Sequence, residues 1–226
     1  MNSKYRYEIK FVLNDIQLAE ISAWMNAETT MIKRYSPRII SNLYFDDLDF
    51  SSVKDNLSGI SNRKKYRLRW YGEVFEDFKP VFEIKGRNDR AGFKTTFDIK
   101  DLNGVIHKLL PSEILAICTQ TLQEKKYLLD NFLLPSLQVQ YLRSYFEDHQ
   151  GIRLTLDQDI NFSLPSLHGS LLENASRQYP MKIIEIKFHP SEKDKVSELI
   201  GSLHLRPKRH SKYLVGLASL GLAQYV

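Results

Sequence analysis

Hydrophobic and polar residues alternate with a period of two along eight segments of this chain. They are Lys4–Val12, Arg38–Asp46, Asn62–Tyr71, Pro80–Arg87, Arg90–Ile99, Leu137–Asp148, Ile152–Ile160 and Met181–Phe188. Such alternation sends successive side chains to opposite faces, so each segment is expected to be a β-strand with two chemically distinct sides. Between them, helical patterns fall at Asp15–Asn26, Ser51–Asn56, Pro111–Phe132, Ser191–Leu203 and Lys212–Ala223. Asn14-Asp15 and Ser191-Glu192 supply N-cap chemistry for two of these. No Pro/Gly/Ser-rich linker and no low-complexity tract interrupts the series, so residues 1–226 are read as one domain.

The two faces differ in kind. In the first strand Tyr5, Tyr7, Ile9 and Phe11 share one side, and Lys4, Arg6, Glu8 and Lys10 the other. Lys65, Arg67 and Arg69 oppose Tyr66, Leu68 and Trp70; Glu83, Lys85 and Arg87 oppose Phe82 and Ile84. Arg90, Lys94 and Asp98 oppose Phe93 and Phe97, while Arg153, Thr155, Asp157 and Asp159 oppose Ile152, Leu154 and Leu156. Glu185 and Lys187 oppose Ile184, Ile186 and Phe188. On one strand the simplest account is an antiparallel sheet with its charged side in water. Repeated across nearly every strand, a polar side made of Arg, Lys and Glu with little Ser, Asn or Gln favours another architecture. A sheet closed on itself, with helices packed outside, would turn the charge inward around a space that can hold a small ligand. The expected fold is therefore α+β: a closed eight-stranded antiparallel β-barrel with a basic interior.

Charge narrows the partner. A net charge of +5 and a pI near 9.1 favour anions, whether nucleic acid, acidic lipid or phosphorylated molecules. Nucleic-acid binding predicts an exposed basic surface with accessible aromatics, whereas here basic and aromatic residues take opposite strand faces, so it ranks last. Cys118 is the one cysteine, which excludes an internal disulfide framework and a multi-cysteine metal site. It reads as a small buried hydrophobe. No apolar run reaches the ~20 residues that span a bilayer and no secretory h-region is visible, so a soluble cytoplasmic protein is expected.

Three strands carry nearly one tetrapeptide: Tyr7-Glu8-Ile9-Lys10, Phe82-Glu83-Ile84-Lys85 and Ile184-Glu185-Ile186-Lys187. Strand parity puts each Glu and Lys on the same side. Cations crowded into a closed space repel, so interspersed carboxylates make chemical sense. A carboxylate there can also bind Mg²⁺ or Mn²⁺, which takes hard oxygen ligands and shares them with phosphate.

The ordered set RYEIKF (6–11), SNLYFDD (41–47), RKKYRLRWYG (63–72), FEIKGR (82–87), YLRSYFED (141–148), IRLTLDQDI (152–160), IEIKF (184–188) and SKY (211–213) resembles the VTC domain. This is the polyphosphate-making catalytic domain of the vacuolar transporter chaperone complex, within the triphosphate tunnel metalloenzyme (CYTH-like) superfamily. The resemblance covers Arg6 to Tyr213, and it implies an eight-stranded tunnel for triphosphate or polyphosphate with a divalent cation at a glutamate. Carried over position by position, it implies phosphate-binding roles for Lys10, Arg67, Arg69, Lys85, Lys94, Arg143, Arg153 and Lys212, with Ser211 beside the last. Arg90 shares the face of Lys94 and is the alternative there. Glu185 matches the metal-binding glutamate, with Mn²⁺ or Mg²⁺ as the cofactor.

Phosphoryl transfer asks a protein mainly for positioning and charge stabilisation. Arg67, Arg69, Arg143 and Arg153 would grip phosphate oxygens through planar forks, with Lys85 and Lys212 completing the catalytic set. The nucleophile would be the terminal oxygen of phosphate or of a growing chain, consistent with a sequence that has no Gly-rich phosphate loop, no G-x-S-x-G elbow and no metal-spaced His pair. The implied activity is transfer of the γ-phosphate of ATP to polyphosphate. A tunnel triphosphatase, with water as acceptor, and a non-catalytic polyanion-binding module are the alternatives. Glu8 and Glu83 read as partners that hold the lysines in place, or as secondary metal ligands. Asp157 and Asp159 are read as metal ligands, with Asp157 equally read as a partner of Arg153. Tyr44 and Phe45 are read as packing. Fuller family members carry regulatory and transmembrane segments, so movement of a polymer across a membrane is expected to need a separate membrane partner. Replacing Arg67 or Arg153 with Ala is expected to cut triphosphate binding sharply while leaving stability almost unchanged.

Overall fold

The structure, a computed structural model, describes residues 6–72, 79–88, 91–129, 132–166, 168–171 and 175–223. Arg90 and the residues from Lys4 that were expected to open the first strand lie outside the described residues. Among the described residues nine strands form an antiparallel sheet: β1 (Tyr7–Leu13), β2 (Ile32–Asp46), β3 (Arg63–Tyr71), β4 (Val81–Asn88), β5 (Ala91–Asp98), β6 (Leu134–Glu147), β7 (Arg153–Ser163), β8 (Ser176–Gln178) and β9 (Lys182–Phe188). The helices are α1 (Asp15–Glu28), α2 (Ser51–Leu57), α3 (Pro111–Glu124), α4 (Lys193–Gly201) and α5 (Lys212–Ser219). The chain divides into two compact units, one from residues 1–38, 141–160 and 178–211, the other from residues 39–140, 161–177 and 212–226.

In the first unit the strand order is β1–β9–β7–β6. Phe11, Leu13, Ile152, Leu154, Ile184, Ile186 and Phe188 form its apolar side, packed with Ile21 and Trp24 of α1 and Val196 of α4. Burying side chains of this size contributes roughly 1.5–3 kcal/mol each. The Trp24 Nε1–H donates to the Leu199 carbonyl at 3.2 Å and ties α1 to α4. Asn14 starts α1 through a capping box: its side chain accepts from the Gln17 N–H at 2.9 Å, and Gln17 Oε1 accepts from the Asn14 N–H at 3.1 Å. The second expected cap is absent. Ser191 lies in a 3-10 turn, Pro190–Glu192, and α4 begins at Lys193.

In the second unit the order is β6–β2–β3–β4–β5. Leu43, Phe45, Tyr66, Leu68, Trp70, Phe82 and Ile84 pack with Ile114, Cys118 and Leu122 of α3. Cys118 is buried there, as its apolar surroundings suggested. In each unit, therefore, helices cover the apolar side of the strands, and strand alternation leaves the charged residues on the side opposite them.

Most differences from the expected elements have local causes. β2 begins at Ile32, ahead of the expected Arg38; its first seven residues are exposed, so no apolar alternation marks them in the sequence. α3 ends at Glu124, well short of Phe132: Lys126 turns left-handed at φ 58°, and the Tyr127 and Lys126 N–H groups close onto the carbonyls of Leu122 and Gln123. That is a Schellman stop built without glycine. Asp159, inside β7, has φ 49°. β8 is a three-residue addition beside β7. The described pairings give an antiparallel sheet and do not include the closure of an eight-stranded barrel.

Candidate functional site

The charged side of the second unit is built on β3, β4 and β5, whose registers align their residues into rows. Arg67 stands opposite Glu83, and Glu83 opposite Thr96; Lys65 stands opposite Lys85, and Lys85 opposite Lys94; Arg63 stands opposite Arg87. Like charges directly across a strand pair destabilise a sheet, so these rows have a cost in the protein alone. Glu83 partly relieves it. Its Oε2 accepts from Arg67 Nε at 2.6 Å and lies 2.5 Å from Arg67 Nη2, while its Oε1 lies 2.5 Å from Lys94 Nζ. Burial alone would raise the Glu83 carboxyl, but Arg67, Arg69 and Lys94 overcome it and hold the pKa down at about 2.

β2 supplies the residues that aim the two arginines. Asn42 is opposite Arg69 and Tyr44 opposite Arg67. Arg69 Nε donates to Asn42 Oδ1 at 2.9 Å, and Arg67 Nη1 donates to Tyr44 Oη at 3.2 Å. Asn42 is itself fixed by donating Nδ2 to the Val139 carbonyl at 3.3 Å. Neutral partners hold a guanidinium in place without cancelling its charge. Tyr44 also stacks on Tyr213 with ring centroids 4.9 Å apart, and the Tyr213 hydroxyl donates to Asp46 Oδ2 at 2.7 Å. Burial and the neighbouring Asp46 push the Tyr213 phenol up, keeping it protonated as a donor. Lys212, the first residue of α5, is thus attached to a pinned tyrosine. Phe45 faces away, buried against Phe82.

The first unit carries a second charged cluster. β1 pairs with β9 so that Lys10 faces Glu185 and Glu8 faces Lys187; two copies of the Glu-x-Lys motif run antiparallel and interlock. Glu185 is buried, paired with Lys187 through Oε1 and 3.6 Å from Lys10 through Oε2. Lys10 also meets Glu8 at 2.6 Å and donates to the His210 carbonyl at 3.3 Å. That contact, with the Lys208 N–H bonded to the Lys10 carbonyl at 2.9 Å, lays the chain leading to Ser211 along β1. Burial would raise Glu185, yet Lys187, Lys10 and Arg143 bring its pKa down to about 2. Arg143 grips Asp157 with a fork, Nε to Oδ1 at 2.5 Å and Nη2 to Oδ2 at 2.7 Å.

The expected sites fall out as follows. Lys10, Arg143 and Glu185 come together in the first unit, and Arg67, Arg69, Lys85 and Lys94 in the second. Asp157 binds Arg143, not Arg153. Arg153 is half exposed and pairs with Glu147 at 3.1 Å. The reason is reach: Arg143 and Asp157 meet in bidentate geometry across neighbouring strands, leaving Arg153 to a carboxylate nearer the strand end. Asn42, Lys65, Lys187 and Thr155 join these faces without having been singled out. For Asn42 the signal was present, since it alternates with Leu43 on β2.

Among the described residues no group of three or more His, Cys, Asp or Glu side chains could hold a metal ion. Glu185 offers one carboxylate, already shared by two ammonium groups. This donor set fits a divalent cation that brings phosphate oxygens with it, the way Mg²⁺ is usually bound, and does not fit a caged resident ion.

A family model for the VTC domain matches residues 5–221, and the chain belongs to that family. It is similar to vacuolar transporter chaperone complex subunit 2 of Saccharomyces cerevisiae, with 23% identity over 98% of this chain. The chain spans about a third of that relative's length, 33%. Among solved structures it is similar to a putative adenylyl cyclase from Hippeastrum, described as having a dominant triphosphatase activity. The two share 13% identity and a TM-score of 0.54 over 97% of this chain and 98% of that one. A putative adenylate cyclase from Vibrio parahaemolyticus aligns at 14% identity and TM-score 0.47, over 93% and 96% of the two chains. Among the described residues no helix is long and apolar enough to cross a membrane.

Proposed function

We propose that this chain is a metal-dependent phosphotransferase of the polyphosphate polymerase kind, moving the γ-phosphate of ATP onto phosphate or a growing polyphosphate chain. The observation that carries the reading is the row Lys65, Lys85 and Lys94 on three adjacent strands, beside Arg69 aimed by the neutral Asn42 and Arg67 held by Tyr44 and the Glu83 carboxylate. A sheet gains nothing from such a row by itself, and an anion with repeating charge offsets the repulsion. Arg67, Arg69, Arg143 and Arg153 grip phosphate oxygens; Lys10, Lys85, Lys94 and Lys212, with Ser211, add charge along the phosphate path. Glu185 is the residue that would hold Mn²⁺ or Mg²⁺, which when bound supplies neutralisation of charge on the transferred phosphoryl group. The attacking group is a phosphate oxygen, so no side chain acts as nucleophile. Closure of the sheet into a barrel, action as a single domain, a cytoplasmic location and a separate membrane partner belong to the same reading.

A triphosphatase is the second reading, favoured by the activity described for the Hippeastrum protein; water then replaces phosphate as acceptor. The deciding experiment incubates the chain with ATP and Mn²⁺ or Mg²⁺ and resolves products by gel and phosphorus NMR, with Glu185→Gln as control. Long phosphoanhydride chains, absent from the control, are the expected result. Free phosphate without chains selects the triphosphatase. Tight triphosphate binding with no turnover makes the chain a polyanion receptor and ends the catalytic reading.

A further inference from the structure

β1, β9 and β7 lie side by side in the first unit, and their registers set rows across the strands. One row is Glu8, Lys187 and Arg153; the next is Lys10, Glu185 and Thr155. Thr155 alone in these rows carries no charge, and its Oγ1 is buried without a hydrogen-bond partner among the described residues. Threonine on a strand is ordinary, because a β-branched side chain suits the pleat. An unpartnered buried hydroxyl is not ordinary, and valine would fill the same space without leaving one.

The residue directly opposite Thr155 is Glu185. In such a pair the Cβ atoms stand about 4.5–5.5 Å apart, within reach of a hydroxyl-to-carboxylate bond. In the protein as it stands, Glu185 gives Oε1 to Lys187 and Oε2 to Lys10. Those ammonium groups are also the ones a phosphate chain attracts. Once they turn to phosphate, Glu185 is left as a buried carboxylate in need of a donor. Thr155 is the donor facing it that has no other bond to break.

We propose that Thr155 is a positioning residue for Glu185: its hydroxyl donates to the carboxylate when phosphate draws Lys10 and Lys187 away, and so fixes the oxygen that receives the divalent cation. The inference rests on the phosphate-handling reading above. It gives a role to a hydroxyl that has no partner among the described residues, since Glu185 needs a donor once Lys10 and Lys187 turn to the anion.

Thr155→Val and Thr155→Ser are compared with the parent in three measurements. These are thermal unfolding without ligand, calorimetric triphosphate binding in EDTA, and EPR titration of Mn²⁺ into triphosphate-loaded protein. The valine variant is expected to unfold no lower than the parent and to bind triphosphate in EDTA within about twofold. It should hold Mn²⁺ about tenfold more weakly, as loss of an outer-sphere partner typically does, and serine should restore the parent value. A valine variant with parental Mn²⁺ affinity overturns the assignment, as does serine failing as badly as valine. Unfolding of the valine variant below the parent also overturns it, because the hydroxyl would then be bonded before any ligand arrives. If the parent takes up no triphosphate in EDTA, the phosphate reading itself fails and this inference falls with it.

Discussion

Arg67 is held by Glu83 on one side and by the Tyr44 hydroxyl on another, and its side chain is only 11% exposed. That setting changes what its removal does. Sequence parity alone predicted loss of binding with little change in stability for both Arg67→Ala and Arg153→Ala. Glu83, 3% exposed, would keep Lys94 but lose its bidentate partner. Breaking a buried pair from one side typically costs about 3–5 kcal/mol, and Lys94 offsets part of that. Arg67→Ala is therefore expected to lower the urea midpoint by roughly 2–4 kcal/mol of stability as well as weaken triphosphate binding. Arg153→Ala, whose partner Glu147 is also beside Arg34, is expected to stay within about 1 kcal/mol of the parent. Equal stability of the two variants would show that the Arg67–Glu83 pair is not closed in solution. At this scale the sequence told which residues share a face, because alternation is a local property. It could not tell that Asp157 would choose Arg143 over Arg153, since that depends on which strands become neighbours.

Element boundaries depend on short-range chemistry that is only sometimes written in residue type. Asn14 and Gln17 form the capping box that the Asn14-Asp15 pair suggested. The end of α3 had no such sign: Lys126 adopts φ 58° where glycine would be usual. A non-glycine residue there costs roughly 1–2 kcal/mol. Lys126→Gly is expected to raise stability by about 1 kcal/mol, read as an increase in denaturation midpoint with an unchanged slope; a drop would mean the lysine side chain makes compensating contacts. Gly86 shows the reverse case, a glycine required by its neighbour. The Phe93 ring opposite lies over its Cα, and an added Cβ would meet ring carbons at 1.9 Å and 2.1 Å. The β4–β5 pairing needs glycine at this position to seat that ring.

For the whole molecule, the charged faces link stability to pH. Glu83 and Glu185 both have pKa values lowered to about 2, against an ordinary value of 4.5. A depressed carboxyl contributes stability that is complete above the unfolded value and is lost as pH falls through the folded one. Unfolding free energy should therefore change little from these groups above pH 5 and fall between about pH 4.5 and 2. For Glu83 the loss is on the order of 3 kcal/mol. Urea melts at pH 7, 4 and 3 test this, with Glu83→Gln expected to start lower and show a shallower slope. A parent curve that is flat over that window would mean the two carboxylates are not paired in solution.

The sequence by itself determined the eight alternating strands, their two faces and the repeated Glu-x-Lys chemistry, though not β8 or the exposed start of β2, because alternation and side-chain type are properties of a few consecutive residues. It also determined the family, through motifs kept in order along nearly the whole chain. Tertiary structure alone decided the rows. Only the antiparallel registers of β1 with β9, of β9 with β7, and of β3 through β5 set Lys10 against Glu185, Thr155 beside it, and Lys65, Lys85 and Lys94 abreast. The physical reason is that a register shift of one residue reverses every facing pair, and it is fixed by turns and packing that no single strand contains.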